Sequence, residues 1–195
     1  MFLPIVLSAA ASLAQPIEEP VRPAVPLFVP RGLPVLLDGR IDGAEWGDAA
    51  EIRLAHDVRL LLKHDGRFVY AAVVLPAPRV FGVNLYLARD GAAGAYLNLH
   101  ASARLGERSG YGKAWPEWRW WNNSGWTANV ARFNGFEGQR FLPDRAKEFQ
   151  IAMARWPRDG FRISLDIETS EGTASPVANS LHADGRNWYV GRLSP

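Results

Sequence analysis

Apolar and polar residues alternate with a period of two along much of this chain. Over residues 161–168 the alternation has no error. Phe161, Ile163, Leu165 and Ile167 point one way, and Arg162, Ser164, Asp166 and Glu168 the other. This is the pattern of a strand with one face in a core, and its outward acids are expected to be a solvated face. Residues 96–103 repeat it, with Leu97, Leu99 and Ala101 inward and Asn98, His100 and Ser102 outward. Residues 58–64 and 68–75 are rich in β-formers and flank Asp65-Gly66-Arg67, a hairpin signal. The runs 80–88, 126–132, 148–154 and 187–193 complete the predicted strands. Helical spacing is absent except for one turn over 43–50, which Asp42 caps and Trp46 anchors. At least eight short strands joined by Gly, Pro and Asp turns predict an all-β fold, an antiparallel β-sandwich of the immunoglobulin-like or jelly-roll type. Trp46, Tyr70, Phe149, Ile163 and Leu165 are expected in its core, on inner faces.

The first residues follow different rules. Residues 2–14 are apolar or small, too short to span a bilayer, and end with Ser12 and Ala14 at the −3 and −1 positions of a cleavage site. They read as a signal peptide over 1–14, and the mature protein is then secreted or periplasmic. Residues 15–34 carry six prolines, which exclude a helix and predict an extended linker, with Phe28 and Val29 able to add a short edge pairing. One sandwich domain then fills 35–195.

Composition narrows the function classes. The chain of 195 residues has 48% hydrophobic and 22% charged residues, an ordinary globular balance. The net charge of +2 does not call for a nucleic-acid partner. There is no Cys, which excludes disulfide frameworks, thiol catalysis and Cys-based zinc sites. No nucleophile elbow, P-loop or dinucleotide fingerprint is present. The four His (His56, His64, His100, His182) have no metal-ligand spacing.

The sharpest local feature is a cluster of tryptophans. Five of the eight Trp lie between 115 and 126: Trp115, Trp118, Trp120, Trp121 and Trp126. Glu117, Arg119, Asn122 and Asn123 are interleaved, and Tyr111 precedes them in a Gly-rich stretch. Sugars present apolar C–H faces and a rim of hydroxyls; indole matches the first, and Asn, Glu and Arg the second. On a strand Trp118 and Trp120 share one face and Trp121 takes the other. Three readings stay open: an exposed sugar-binding face, indoles that pack the sandwich, and a protein–protein patch. Asp38, Asp42, Glu45 and Asp48 form an acidic opening with oxygen ligands for calcium, or with turn and cap duties. Asp166 and Glu168 are a carboxylate pair of the kind glycosidases use, on what is expected to be a solvated face.

The opening Asp38-Gly39-Arg40-Ile41-Asp42-Gly43-Ala44-Glu45-Trp46, the hairpin ending Phe68-Val-Tyr-Ala-Ala-Val-Val74, the strand Glu148-Phe-Gln-Ile-Ala152 and the closing Trp188-Tyr-Val-Gly-Arg-Leu193 stand in order along the chain. Together they resemble carbohydrate-binding module family 9 and its DOMON-like relatives. The resemblance implies a non-catalytic sandwich that holds an oligosaccharide or polysaccharide between Trp side chains, with structural calcium elsewhere. In the cytochrome branch it implies haem; Met153 with His100 or His64 would then supply the axial ligands. The expectation is therefore a carbohydrate-binding domain with no nucleic-acid partner and no membrane insertion. The alternatives are a haem-binding electron carrier, a small glycan hydrolase or lyase, and a structural or adaptor sandwich.

Overall fold

The computed structural model describes residues 26–89, 95–102, 105–111, 117–121, 143–157, 160–175 and 188–195, with the backbone alone for Leu105, Tyr111 and Trp121. The leader, the first part of the Pro-rich segment and the strand expected over 126–132 lie outside the described residues.

Two sheets pack face to face. In chain order the strands are β1 (Leu27–Val29), β2 (Ala50–Arg53), β3 (Arg59–His64), β4 (Phe68–Arg79), β5 (Gly82–Arg89), β6 (Ala95–Ala101), β7 (Leu105–Tyr111), β8 (Arg119–Trp121), β9 (Asp144–Ala152), β10 (Phe161–Thr169), β11 (Gly172–Ala174) and β12 (Tyr189–Leu193). The larger sheet runs β1-β12-β10-β5-β6-β7-β8, with β11 hairpinned onto β10; the smaller runs β2-β3-β4-β9. Among these strands every pair is antiparallel except β1–β12. The expected Phe28–Val29 edge pairing is thus present, and strand pairing begins before residue 35.

The hairpin read from Asp65-Gly66-Arg67 joins β3 to β4. Gly66 takes φ 89°, and the Asp65 carboxylate accepts from the Arg67 and Phe68 amides and from the Tyr70 hydroxyl. The helical turn α1 (Gly43–Trp46) is shorter than expected, because Ala50 already enters β2. Asp42 caps it by accepting from the Ala44 and Glu45 amides at 3.1 Å. β9 begins four residues before the expected start and ends at Ala152. A 3-10 turn over Met153–Arg155 then breaks the strand, closed by the Trp156 amide donating to the Met153 carbonyl.

The core between the sheets takes Leu60, Leu62, Val69, Ala71, Phe149 and Ile151 from one side. Val83, Leu85, Leu99, Ile163 and Leu165 face them from the other. Two further clusters cover the outer faces. Trp46 and Tyr70 are buried, as expected, but not on inner faces. They pack with Val35, Leu61, Ala72 and Val74 on the outside of the smaller sheet, beneath the segment that precedes β2. On the outside of the larger sheet Tyr86, Ala88, Tyr96 and Trp188 form a third cluster. Both sheets are therefore covered on two faces. That overturns the expectation of a solvated outer face on β10: Asp166 is fully buried.

Candidate functional site

The outer face of the larger sheet carries the polar half of the alternation, and the strand registers arrange it in rows. One row crosses Asp166, Asn84, His100, Gly106 and Trp120; the next crosses Ser164, Tyr86, Asn98 and Arg108. Asn84, Asn98, His100, Ser164 and Asp166 are all buried. Buried polar groups are costly unless they are hydrogen-bonded, and most of these are. The Tyr86 hydroxyl donates to Asp166 Oδ2 at 2.9 Å, and Ser175 Oγ donates to Asp166 Oδ1 at 2.6 Å. Burial and the Asp166 charge raise the Tyr86 phenol, so it stays a donor.

A hydrogen-bonded chain runs across the first row. Asn84 Nδ2 donates to Glu168 Oε1 at 2.6 Å, which turns Asn84 Oδ1 toward His100 Nδ1 at 2.9 Å. An amide oxygen only accepts, so Nδ1 carries the proton. Burial lowers the His100 pKa, and in the neutral ring Nε2 accepts from the Ser102 hydroxyl at 2.8 Å. Asn98 is fully buried, and neither its amide nitrogen nor its oxygen has a partner among the described residues; the same holds for the Ser164 hydroxyl.

Two indoles stand over this layer. Trp118 and Trp120 stack with centroids 5.1 Å apart and planes at 26°. His100 meets both edge-on, at 5.4 and 5.7 Å. The Arg108 guanidinium lies 4.3 Å from the Trp118 ring, a cation–π distance. Trp118 is partly covered, and Trp120 keeps 44% of its surface exposed. Gly106 makes the stack possible. A Cβ there would stand 2.7 Å from the Trp120 ring and 3.3 Å from that of Trp118. Gly110 gives the same room to Tyr96. The Gly-rich stretch is therefore strand β7, whose glycines make space for aromatic rings. Sequence reading missed that role; the signal was glycine at every fourth position on the outward side.

The structure brings Trp118 and Trp120 together and adds His100 and Asn98, which alternation marked only as outward, and Asn84 and Arg108, which the sequence pattern did not single out. Glu117 and Arg119 are exposed, and Arg119 falls on the opposite face of β8 by the strand's alternation. The side chains of Trp121 and Tyr111, and all of Trp115, Asn122, Asn123 and Trp126, lie outside the described residues.

The chain has no match among known family models, curated proteins or solved structures. Its function has to be read from its own residues.

Three of the four acids of the opening have carboxylates engaged within the fold. Asp42 caps α1, Asp38 accepts from the Arg40 amide, and Asp48 accepts from the Leu33 amide and from Lys63 at 2.5 Å. Among the described residues no three metal-ligating side chains converge. For haem, His100 has both ring nitrogens engaged, His64 Nε2 meets the Ser194 carbonyl at 3.0 Å, and Met153 packs in the core. His64 Nδ1 is buried and has no partner among the described residues. Among the described residues no helix is long and apolar enough to cross a membrane.

Proposed function

We propose that this protein binds neutral carbohydrate on the outer face of its larger sheet, as a binding domain that carries out no reaction on the sugar. The observation that carries the reading is the Trp118–Trp120 stack with its partly exposed indole beside a polar layer. An indole face takes the C–H face of a sugar ring, an interaction worth roughly 0.5–1.5 kcal/mol beyond the area it buries. Ser102 and Arg108, on the same face and only partly buried, offer donors and acceptors that suit hydroxyl groups. One aromatic platform supports weak binding, because ordering costs offset most of the gain. The apolar segment 2–14 supports export, with a mature chain that starts at Gln15.

The test is tryptophan fluorescence during titration with a panel of soluble oligosaccharides at low and high salt. A neutral ligand gives a response nearly independent of salt, whereas a nucleic acid would give a steep slope. Trp120→Ala should remain folded and lose the response. A structural reading has its own observation: both indoles close over His100 and so shield the polar layer. If no sugar perturbs the emission and Trp120→Ala lowers stability instead, that reading replaces the carbohydrate one.

A further inference from the structure

A cavity of about 450 Å³ opens at the edge of the sandwich, between β4 and the β10–β11 hairpin. It lies on the inner side of β10, whereas the tryptophan pair lies on the outer face of the same sheet. Its volume falls in the range of small-molecule sites. Val58, Leu75 and Ile167 line it with apolar surface and are themselves buried. His56, Arg79 and Glu171 stand exposed around it. The side chains of His56 and Arg79 have no hydrogen bond or ion pair among the described residues.

Three backbone irregularities converge here. His56 and Asp57 take φ 60° and 56°, and among the described residues they are the only non-glycine residues with positive φ. Such conformations cost free energy and gather at functional sites. The β4–β9 register breaks between the Val74↔Ala146 and Arg79↔Asp144 pairs, so residues 75–78 of β4 face Arg145 alone. Pro76 and Pro78 lie in that bulge, and Arg145 Nε donates to the Leu75 carbonyl at 3.2 Å. Bulges re-aim side chains, and this one precedes Arg79. Finally, β10 turns into β11 through Gly172 at φ 125°. Two of these devices set a cationic or imidazole side chain beside an apolar floor.

We propose that this cavity binds a small monocarboxylate with an apolar body. The carboxylate meets the Arg79 guanidinium and an N–H of the His56 ring, and the body lies on Val58, Leu75 and Ile167. Arg presents paired donors that match a carboxylate. Glu171 repels a second negative charge and so favours monoanions over dianions. The inference is independent of the carbohydrate reading.

The experiment is calorimetric titration of the full chain with trans-cinnamate and with cinnamyl alcohol, which has the same body without the charge. Parallel titrations use Arg79→Gln, His56→Asn and, as a control, the exposed Arg53→Gln. Asn tolerates the left-handed backbone at position 56. Thermal melts confirm that each variant is folded. Cinnamate should bind about tenfold more tightly than the alcohol, the scale of a charge-assisted contact. Arg79→Gln should abolish that preference, His56→Asn should reduce it, and Arg53→Gln should leave it intact. Equal binding of acid and alcohol, binding of neither, or a full preference retained in Arg79→Gln would overturn the proposal.

Discussion

Glu148 on β9 holds the indole of Trp46, 102 residues away in the chain: Trp46 Nε1 donates to Glu148 Oε1 at 3.0 Å. The other carboxylate oxygen accepts from the Gly39 amide at 2.6 Å. One buried carboxylate thus pins the whole opening segment onto the outside of the smaller sheet. Burial pushes the Glu148 carboxyl up to about 7. The two donors favour its charged form but do not offset burial and the nearby Asp38 and Glu45.

That shift sets a pH dependence. Below about 4.5, the ordinary value, Glu148 is protonated in the folded and the unfolded chain alike. Between there and about 7 the folded chain keeps a proton that the unfolded chain has released. Stability from this group therefore falls as pH rises through that window, by on the order of 3 kcal/mol in all. His100 has the opposite sign, because a lowered imidazole pKa adds stability as pH rises toward its ordinary value. Comparing urea midpoints of wild type and Glu148→Gln from pH 4.5 to 7.5 isolates the first contribution. The variant should lack the falling component. Superimposable pH profiles would mean that Glu148 is ionised throughout.

Glu148→Ala should cost about 2–4 kcal/mol in equilibrium unfolding, because it leaves the Trp46 indole N–H and the Gly39 amide without their acceptor. A loss under about 1 kcal/mol would show that the opening segment is held by its apolar contacts alone.

Leu165→Ala should cost roughly 2–5 kcal/mol, the range for emptying a well-packed site. Leu165 is wholly buried between the sheets. Urea denaturation measures it, and a change near zero would contradict the inner face assigned to β10.

Gly106→Ala tests the aromatic platform without touching an indole. The added methyl would meet the Trp120 ring, so the Trp118–Trp120 stack has to shift. The near-ultraviolet circular dichroism of the tryptophans should change, and any sugar response should weaken with it. Retention of both signals would show that the rings move aside without consequence.

His100 should be visible by nitrogen NMR as the Nδ1–H tautomer at neutral pH, with a titration below the ordinary histidine range. Asn84→Ala removes the acceptor that fixes this tautomer and should broaden or shift the signal. A ring that already titrates normally in the wild type would refute the buried chain through Asn84 and Glu168.

Much of the local structure was legible from the residues in order. The alternation of Phe161, Ile163, Leu165 and Ile167 marks β10 and its core face, and Asp65-Gly66-Arg67 marks the β3–β4 hairpin. Asp42 marks the start of α1. These signals are short-range: a strand's period, a turn's backbone and a cap are set by residues within a few positions of each other. On β6 the outward side was legible too, since Asn98 and His100 do lie opposite Leu97 and Leu99, whereas on β4 Tyr70 was assigned to the wrong face.

What covers that outward side was decided only by the tertiary structure. Alternation sorts side chains onto two faces and says nothing about whether the second face meets water. Here Trp46, Glu148 and Val35 close one outer face, and Tyr86, Tyr96 and Trp188 stand on the other, from distant parts of the chain. That is why Asp166, expected in solvent, is buried against Tyr86, and why the Gly106–Gly110 strand was not recognised until the rings it accommodates were in place. The cavity beside Arg79 has the same origin: a bulge, a left-handed pair and a hairpin meet only once both sheets have packed.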